Sequence, residues 1–224
     1  MTIGITICLA DGALLIADGK KTKPFAANDQ VESDINKIHR ITQTVSAISL
    51  GINLVTDKAL KIIRKDFVGN TKLAPEDVIN IIERSLDECW SSLLQSLSPD
   101  IDPNDPSLRA GFLVGGIASN TSFIGGILFC PNRQPFDRVE TQPLKYIVLG
   151  GEKQNSADIF KGYFDQIAGK LQKRTSCEET HLPVLISAGV CTIREVEKTN
   201  PTIGGTIRYA IIRRDCPYCE VVVK

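Results

Sequence analysis

The sequence has few of the residues and patterns on which several common kinds of site depend. It contains 2 histidines in 224 residues, so a catalytic triad built on histidine has few ways to assemble. The nucleotide-binding patterns GxGxxG and GxxxxGK[ST] and the serine pattern GxSxG do not occur. We therefore expect no cofactor, and we expect the Gly-Gly pairs to lie in turns and close strand contacts.

The chain also lacks an excess of charge of either sign and any long apolar run. Its 26 basic and 26 acidic residues cancel and are interspersed, whereas a nucleic-acid surface needs a basic stripe. No apolar run approaches the ~20 residues that cross a bilayer. The first residues do not resemble a signal peptide, because Thr6, Asp11 and Gly12 interrupt them. We expect a cytoplasmic protein that binds neither nucleic acid nor membrane.

The cysteines do not indicate a disulfide framework. There are 7 of them, an odd number spread along the chain, which is typical of reduced and mostly buried thiols. Cys216 and Cys219 form a CxxC pattern that could be a redox pair or half of a zinc site. A zinc site needs a second ligand pair, and a redox motif begins a helix, whereas this pattern lies between two strand-like runs. A turn is the favoured interpretation, and we expect no metal.

Hydrophobic residues make up 42% and charged residues 23% of the chain, which is enough to bury a core. No segment has the composition of a linker, so we predict one domain over residues 1–224. β-rich runs separated by a DG turn and by a QT turn predict two hairpins near the amino terminus, with strands at 3–9, 13–17, 37–42 and 45–50. Gly51 closes the second hairpin, and the polar residues 20–34 between the hairpins are predicted to form a loop.

The hydrophobic period then becomes helical. Thr56 is predicted to cap a first helix that Gly69 and Asn70 stop, and Pro75 opens a second. Further helices are predicted at 155–172 and 182–198, with Pro183 in the first turn of the last, and further strands at 109–114, 122–129, 146–149, 206–213 and 220–223. The prolines and aspartates of residues 98–107 predict an exposed loop. Grouped strands and grouped helices favour an α+β fold, with stacked sheets and helices outside them.

Three polar residues in the amino-terminal hairpins could do chemistry together. Methionine is readily trimmed before a small residue, and Thr2 would then carry a hydroxyl and a free α-amine. An α-amine has a pKa of ~7.7 to 8, so it can accept a proton near neutral pH and activate that hydroxyl. Lys37 would lower the pKa of both groups, and Asp18 would hold the lysine. Taken singly, Thr2 could be a frayed terminus, Asp18 a turn residue and Lys37 an edge-strand charge.

The stretch TIGITICLADGALLIADGKKT, followed by INKIHRI and AISLG, resembles the amino terminus of proteasome β-type subunits and related bacterial self-compartmentalising peptidases. These are amino-terminal-nucleophile (Ntn) hydrolases. The resemblance implies a four-layer αββα sandwich in which two antiparallel sheets are flanked by helices. It assigns Thr2 as nucleophile, Asp18 and Lys37 as its partners, and the Gly51 N–H as oxyanion donor.

The resemblance also implies a substrate and partners. It indicates a threonine endopeptidase acting on polypeptides, assembled as a homo-oligomeric ring, with an ATPase or unfoldase as a further partner. Its substrate pocket would be lined by three polar residues and one isoleucine, which indicate no single cleavage preference: Lys21, Ile35, Ser49 and Asn53.

Two departures from the family pattern leave other interpretations open. Gly150 and Gly151 stand where many active members have a serine, and Asn200 and Ile203 stand where they have an aspartate and a serine. A retained Met1, together with Asn200 and Ile203, would favour a structural or regulatory subunit without turnover. A non-peptidase amidase using the same nucleophile is the other alternative.

Overall fold

A computed structural model describes residues 2–22, 31–32, 35–68, 73–97, 101–102, 105, 108–130, 136–150, 153–171, 178–215 and 218–223. The strands are β1 (Ile3–Leu9), β2 (Gly12–Asp18), β3 (Lys21–Thr22), β4 (Val31–Glu32), β5 (Ile38–Arg40), β6 (Val45–Gly51), β7 (Ala110–Ala118), β8 (Thr121–Phe129), β9 (Phe136–Glu140), β10 (Tyr146–Gly150), β11 (Ile207–Arg213) and β12 (Cys219–Val223). The helices are α1 (Asn53–Asp66), α2 (Pro75–Gln95), α3 (Lys153–Leu171) and α4 (Glu178–Thr199). The chain is thus of the α+β class.

Two antiparallel five-stranded sheets contain most of the strands. The first has the order β10-β1-β2-β11-β12, and the second has the order β5-β6-β7-β8-β9. The predicted first hairpin is confirmed, with Leu9 paired to Gly12 and Gly4 to Ala17. Because β1 and β2 pair antiparallel, the start of β1 and the end of β2 are neighbours.

Three apolar clusters hold the sheets and helices together. One joins the second sheet to α1 and α2 and contains Ile63, Trp90 and Phe112. Another joins the first sheet to α3 and α4 and includes Ile5 and Phe160. The third contains side chains from both sheets, among them Leu15, Ile48 and Leu113. Among the residues given above, no helix is long and apolar enough to cross a membrane.

The second hairpin has a shorter first strand than predicted. Strand β5 covers Ile38–Arg40 instead of residues 37–42. The Thr44 N–H donates to Thr42 Oγ1 at 3.2 Å, and the amides of Ile41 and Thr42 both donate to the Val45 carbonyl. These bonds close the turn locally, so the backbone leaves the ladder after Arg40. The prediction of a strand through residue 42 was wrong because it followed β-propensity past the turn.

Two helix starts also differ from the prediction. Thr56 does not cap α1: the helix starts at Asn53 with Ile52 as N-cap, and Thr56 Oγ1 donates to the carbonyls of Ile52 and Asn53. Helix α4 begins at Glu178, so Pro183 lies within it and not in its first turn. The predicted stop at Gly69-Asn70 lies outside the described residues.

The structure adds three short strands that the sequence did not indicate. Strands β3 and β4 pair within the segment predicted to be a loop, and β9 forms the edge of the second sheet. The alternation in β9 is masked by charges at Asp137, Arg138 and Glu140. In the CxxC pattern, Cys219 begins β12 with a free, exposed thiol, and Cys216 lies outside the described residues.

Candidate active site

The carboxylate of Asp18 is the most highly connected polar group at the end of the first hairpin. It lies at the last residue of β2, is 1% exposed and accepts four hydrogen bonds. Its Oδ1 accepts from the Ile3 N–H at 2.9 Å and from Lys37 Nζ at 3.1 Å. Its Oδ2 accepts from the amides of Lys20 and Gly204, each at 3.3 Å. A carboxylate with this many donors is stabilised in its charged form.

Lys37 is buried beside that carboxylate, at 3% exposure. Its ammonium also donates to the carbonyl of Lys20 at 2.5 Å. Lys37 directly precedes β5, and its own carbonyl accepts from the Ser49 N–H of β6 at 2.9 Å. The lysine therefore connects the end of β2 in one sheet to the end of β6 in the other.

Burial and charge act in opposite directions on this pair. Burial lowers the pKa of the Lys37 ammonium, and the neighbouring carboxylate raises it again in part. Burial likewise raises the pKa of Asp18, while the Lys37 charge and the amides of Ile3 and Gly204 oppose that shift. A lysine with a lowered pKa gives up a proton more readily than a lysine in solvent.

Thr2 lies immediately before β1 and is 9% exposed. The N–H that donates to Asp18 Oδ1 belongs to the peptide bond between Thr2 and Ile3. The same oxygen accepts from Lys37 Nζ, so the residue directly after Thr2 and Lys37 share one acceptor. On its other side the backbone passes Gly150, whose φ is +101°. A Cβ at Gly150 would lie 1.7 Å from the Thr2 carbonyl oxygen, so only glycine allows this approach. The structure thus brings Thr2, Asp18 and Lys37 together, and their catalytic role stays a prediction.

Gly51 ends β6, two residues after Ser49, whose amide binds Lys37. Its φ is +80°, and a Cβ there would lie 1.9 Å from the carbonyl oxygen of Arg109. The chain reverses at this glycine and enters α1 at Asn53. Within the described residues 52–66, the N-cap makes no side-chain hydrogen bond and the first turn has no acidic residue. The positive end of the α1 dipole therefore lies close to Gly51 without a side-chain anion in its own first turn.

The four predicted pocket residues are placed differently from one another. Ser49 is 7% exposed and lies beside Lys37. Ile35 contacts the residue that follows β2, because its amide donates to the Gly19 carbonyl at 3.0 Å. Lys21 belongs to the short strand β3, and Asn53 is the first residue of α1. These hydrogen bonds connect Ser49 and Ile35 to the site. The positions of Lys21 and Asn53 are known only from the strand and the helix to which they belong.

His39 was not assigned a role from the sequence. Its Nε2 lies 3.0 Å from Ser49 Oγ, and the ring is half-buried. Burial lowers the pKa of His39, helped by Arg64 and opposed by Asp57 and Glu220. Only the alternation of β5 and β6 could have indicated the contact, since His39 pairs with Ala47 and Ser49 is two residues further along.

Gly204 is the other contributor that sequence reasoning did not identify. Its amide reaches Asp18 across a separation of 186 residues. The sequence contained a Gly-Gly pair at this place, but nothing in it indicated which carboxylate the pair would meet. In the described part of the chain, no group of three or more His, Cys, Asp or Glu side chains could hold a metal ion.

No family model matches this sequence, and no curated protein matches it either. Solved structures do match along the whole chain. A structure described as an Anbu (Gly-1) mutant from Hyphomicrobium sp. strain MC1 is 16% identical with a TM-score of 0.64, covering 100% of this chain and 85% of that one. A structure described as the helical assembly of the Anbu complex from Pseudomonas aeruginosa is 14% identical with a TM-score of 0.68, covering 99% and 86%. Anbu is a proteasome-like protein, so this similarity shows that the chain has a proteasome-like fold.

Within this proteasome-like fold, the residues that depart from the family pattern have other local partners. Ile203 is fully buried in the cluster that includes Ile3 and Ile207. Asn200 Oδ1 accepts from the hydroxyl of Thr202 at 2.6 Å and from its amide at 3.1 Å, which closes a turn. The Gly150 carbonyl accepts from the hydroxyl of Ser156 at 2.8 Å. A serine hydroxyl thus does reach the last residue of β10, although from six residues further along the chain.

Proposed function

We propose that this protein is a threonine-type endopeptidase subunit of a self-compartmentalising, proteasome-like assembly. Its two five-stranded sheets and the helices α1 to α4 would form the four-layer αββα sandwich of Ntn hydrolases, and Thr2 would be the nucleophile after removal of Met1. One observation carries the proposal. Asp18 Oδ1 accepts both from the peptide N–H after Thr2 and from Lys37 Nζ, which couples the residue bearing the hydroxyl to the buried cation.

The reaction follows from the chemistry of a terminal threonine. The Thr2 Oγ attacks the carbonyl carbon of a peptide bond, and the Thr2 α-amine takes the hydroxyl proton, directly or through a water. The Oγ–C bond forms, the C–N bond breaks, and the proton passes to the leaving amine. A water then hydrolyses the ester and restores the hydroxyl. Lys37 would lower the pKa of both Thr2 groups, and Asp18 would orient Lys37.

The negative oxygen that develops on the substrate needs a donor. The Gly51 N–H is our candidate, and a donor of this kind contributes about 3 kcal/mol in other amide hydrolases. The uncapped start of α1, two residues further on, adds a positive partial charge nearby. Lys21, Ile35, Ser49 and Asn53 would line the pocket for the residue that precedes the cleaved bond.

The assembly is the least local part of the proposal. The structure of Anbu from Pseudomonas aeruginosa is described as a helical assembly, and this similarity supports a homo-oligomer for the present chain. We propose that the oligomer encloses the sites, acts on polypeptides in the cytoplasm, and receives them from an ATPase or unfoldase.

Intact mass and covalent labelling test the proposal together. The purified protein is expected to have lost the mass of Met1, and a peptide vinyl sulfone is expected to label Thr2. Thr2→Ser keeps both the hydroxyl and the amine and is expected to be labelled, whereas Thr2→Ala is not. Equal peptide hydrolysis by wild type and Thr2→Ala in assemblies of equal size would refute the enzymatic assignment.

A structural or regulatory subunit is the second candidate, favoured by one specific observation. Ile203 fills a fully buried apolar position where many active members have a serine. This candidate predicts an assembly of normal size that retains Met1 and is not labelled by the vinyl sulfone.

A further inference from the structure

The loop formed by residues 200–205 lies between the end of α4 and the end of β2. Its Gly204 amide donates to Asp18 Oδ2 at 3.3 Å, and its Gly204 carbonyl accepts from the Lys20 amide at 3.1 Å. The loop therefore reaches the Asp18 carboxylate through one backbone amide, and it reaches the neighbouring Lys20 through one backbone carbonyl. The direction of these backbone groups depends on the contacts that fix the position of the loop.

An ion pair on α4 holds the other side of the same loop. Glu197 Oε2 lies 2.8 Å from Arg194 Nη1, and Glu197 Oε1 accepts from the Gly205 amide at 3.4 Å. The Arg194 Nη1 also donates to the Gly205 carbonyl at 3.3 Å. Gly205 is thus held at both its N–H and its C=O by two side chains that are themselves paired.

The two glycines are required for this contact. Gly204 and Gly205 have φ values of +114° and +72°, which disfavour any residue with a side chain. A Cβ on Gly204 would lie 2.0 Å from Glu197 Oε1. Glu197 therefore packs directly against Gly204, the residue whose N–H donates to Asp18.

We propose that Arg194 and Glu197 form a positioning pair that holds the Gly204 N–H on Asp18 Oδ2. The pair acts through the backbone, and it takes the place of the polar side chains that the family pattern puts at residues 200 and 203. Asn200 accepts bonds from within its own turn, and Ile203 packs in the core. The proposal rests on the proposed function, because it assumes that the orientation of Asp18 affects the reactivity of Thr2 as a nucleophile.

The geometry makes the contact sensitive. At 3.3 Å the bond between Gly204 and Asp18 is at the long end for an amide donor, so a small shift of the loop breaks it. Without it, Oδ2 keeps the Lys20 amide and the carboxylate can rotate, which moves Oδ1 from the Ile3 amide and from Lys37. Loss of a donor to the charged form also raises the pKa of a carboxyl.

Helix α4 offers a matched control. Glu195 and Lys198 form an ion pair at 2.6 Å with the same i,i+3 spacing, and their side chains are 43% and 68% exposed. Glu197→Ala and Glu195→Ala thus remove the same chemical group from neighbouring positions of one helix. Glu197→Gln keeps an oxygen that can accept from Gly205, so it separates position from charge.

Two measurements on the full chain test the proposal. In Glu197→Ala we expect the maximal rate of Thr2 labelling by a peptide vinyl sulfone to fall about tenfold or more, with half-saturation unchanged. We also expect the pKa of Asp18, followed by carbon-13 NMR, to rise by about half a unit or more. Glu195→Ala should change neither quantity, and Glu197→Gln should keep most of the labelling rate.

The direction of the Asp18 shift distinguishes the explanations. Removing a negative charge alone lowers the pKa of a nearby carboxyl, so a fall or no change in Glu197→Ala would overturn the positioning role. Equal loss of labelling in Glu197→Ala and Glu195→Ala would also overturn it. If wild type is not labelled, the proposed function fails, and the NMR titration still decides whether the pair positions Asp18.

Discussion

The Lys37 ammonium lies 3.1 Å from Asp18 Oδ1, and the two side chains are 3% and 0% exposed. Two opposite charges are therefore withdrawn from solvent at one point between the end of β2 and the start of β5. Desolvating both groups is unfavourable, and the hydrogen bonds from Ile3, Lys20 and Gly204 offset part of that loss. Removing one partner alone leaves a buried charge without compensation.

We expect Asp18→Ala to lower the free energy of unfolding by about 3 to 5 kcal/mol, because it leaves the Lys37 ammonium buried and unpaired. The control is Arg84→Ala, which removes the 71% exposed partner of the ion pair with Asp66 and should lower it by less than about 1 kcal/mol. Denaturant unfolding of both variants measures the difference. Losses of equal size would mean that Lys37 is not held as a buried charge.

Substitution of Gly51 should affect stability through the backbone alone. Gly51→Ala places a Cβ 1.9 Å from the Arg109 carbonyl oxygen at a φ of +80°, so the start of α1 must shift. We expect a loss of roughly 2 kcal/mol or more in thermal or denaturant unfolding. Gly162→Ala is the matched control: nothing lies within 4 Å of its added Cβ in α3, so it should stabilise by up to about 1 kcal/mol. A Gly51→Ala variant as stable as wild type would contradict the left-handed conformation.

His39 should make stability depend on pH on the acid side of neutrality. Burial lowers its pKa in the folded state, so between its ordinary pKa of ~6.5 and the lowered value the unfolded chain binds more protons. Stability from this group is therefore present above pH ~6.5 and is lost as the pH falls through that window, at up to about 1.4 kcal/mol per pH unit.

Comparison with His39→Gln isolates this effect, because Gln keeps a hydrogen-bonding group for Ser49 but does not titrate. We expect the unfolding free energy of wild type, taken relative to that of His39→Gln, to fall as the pH falls from 7 to 5. A difference that stays constant over that range would show that His39 titrates alike in both states.

Ile203 tests whether the family pattern can simply be restored. Because it is fully buried in the cluster with Ile3 and Ile207, Ile203→Ser should lower the free energy of unfolding by about 3 kcal/mol. Val222→Ser changes an apolar residue that is 48% exposed on β12, and it should lie within about 1 kcal/mol of wild type. Unfolding of both in urea makes the comparison, and an unchanged Ile203→Ser would show that a hydroxyl is accommodated there.

Much of the fold could be predicted because its signals are local. The DG step between two apolar runs predicts the pairing of β1 with β2, and the apolar stripe that includes Val78, Ile82 and Leu86 predicts α2. The boundaries were less accurate where a local contact competed with propensity. Turn bonds around Thr42 ended the strand at Arg40, and after the left-handed Gly51 the helix began at Asn53, before the expected cap at Thr56.

The sequence by itself determined the hairpins and the α+β class, since hydrophobic period and turn chemistry are properties of neighbouring residues. Its resemblance to a known family grouped Thr2, Asp18 and Lys37 as a candidate site. Only the tertiary structure decided which groups complete that site. The Gly204 amide on Asp18, the contact between His39 and Ser49, and the bond from the Gly205 amide to Glu197 depend on how separate strands, helices and loops approach each other. Hydrogen bonds require atoms within about 3.5 Å, and no pattern along one chain specifies that distance across 186 residues.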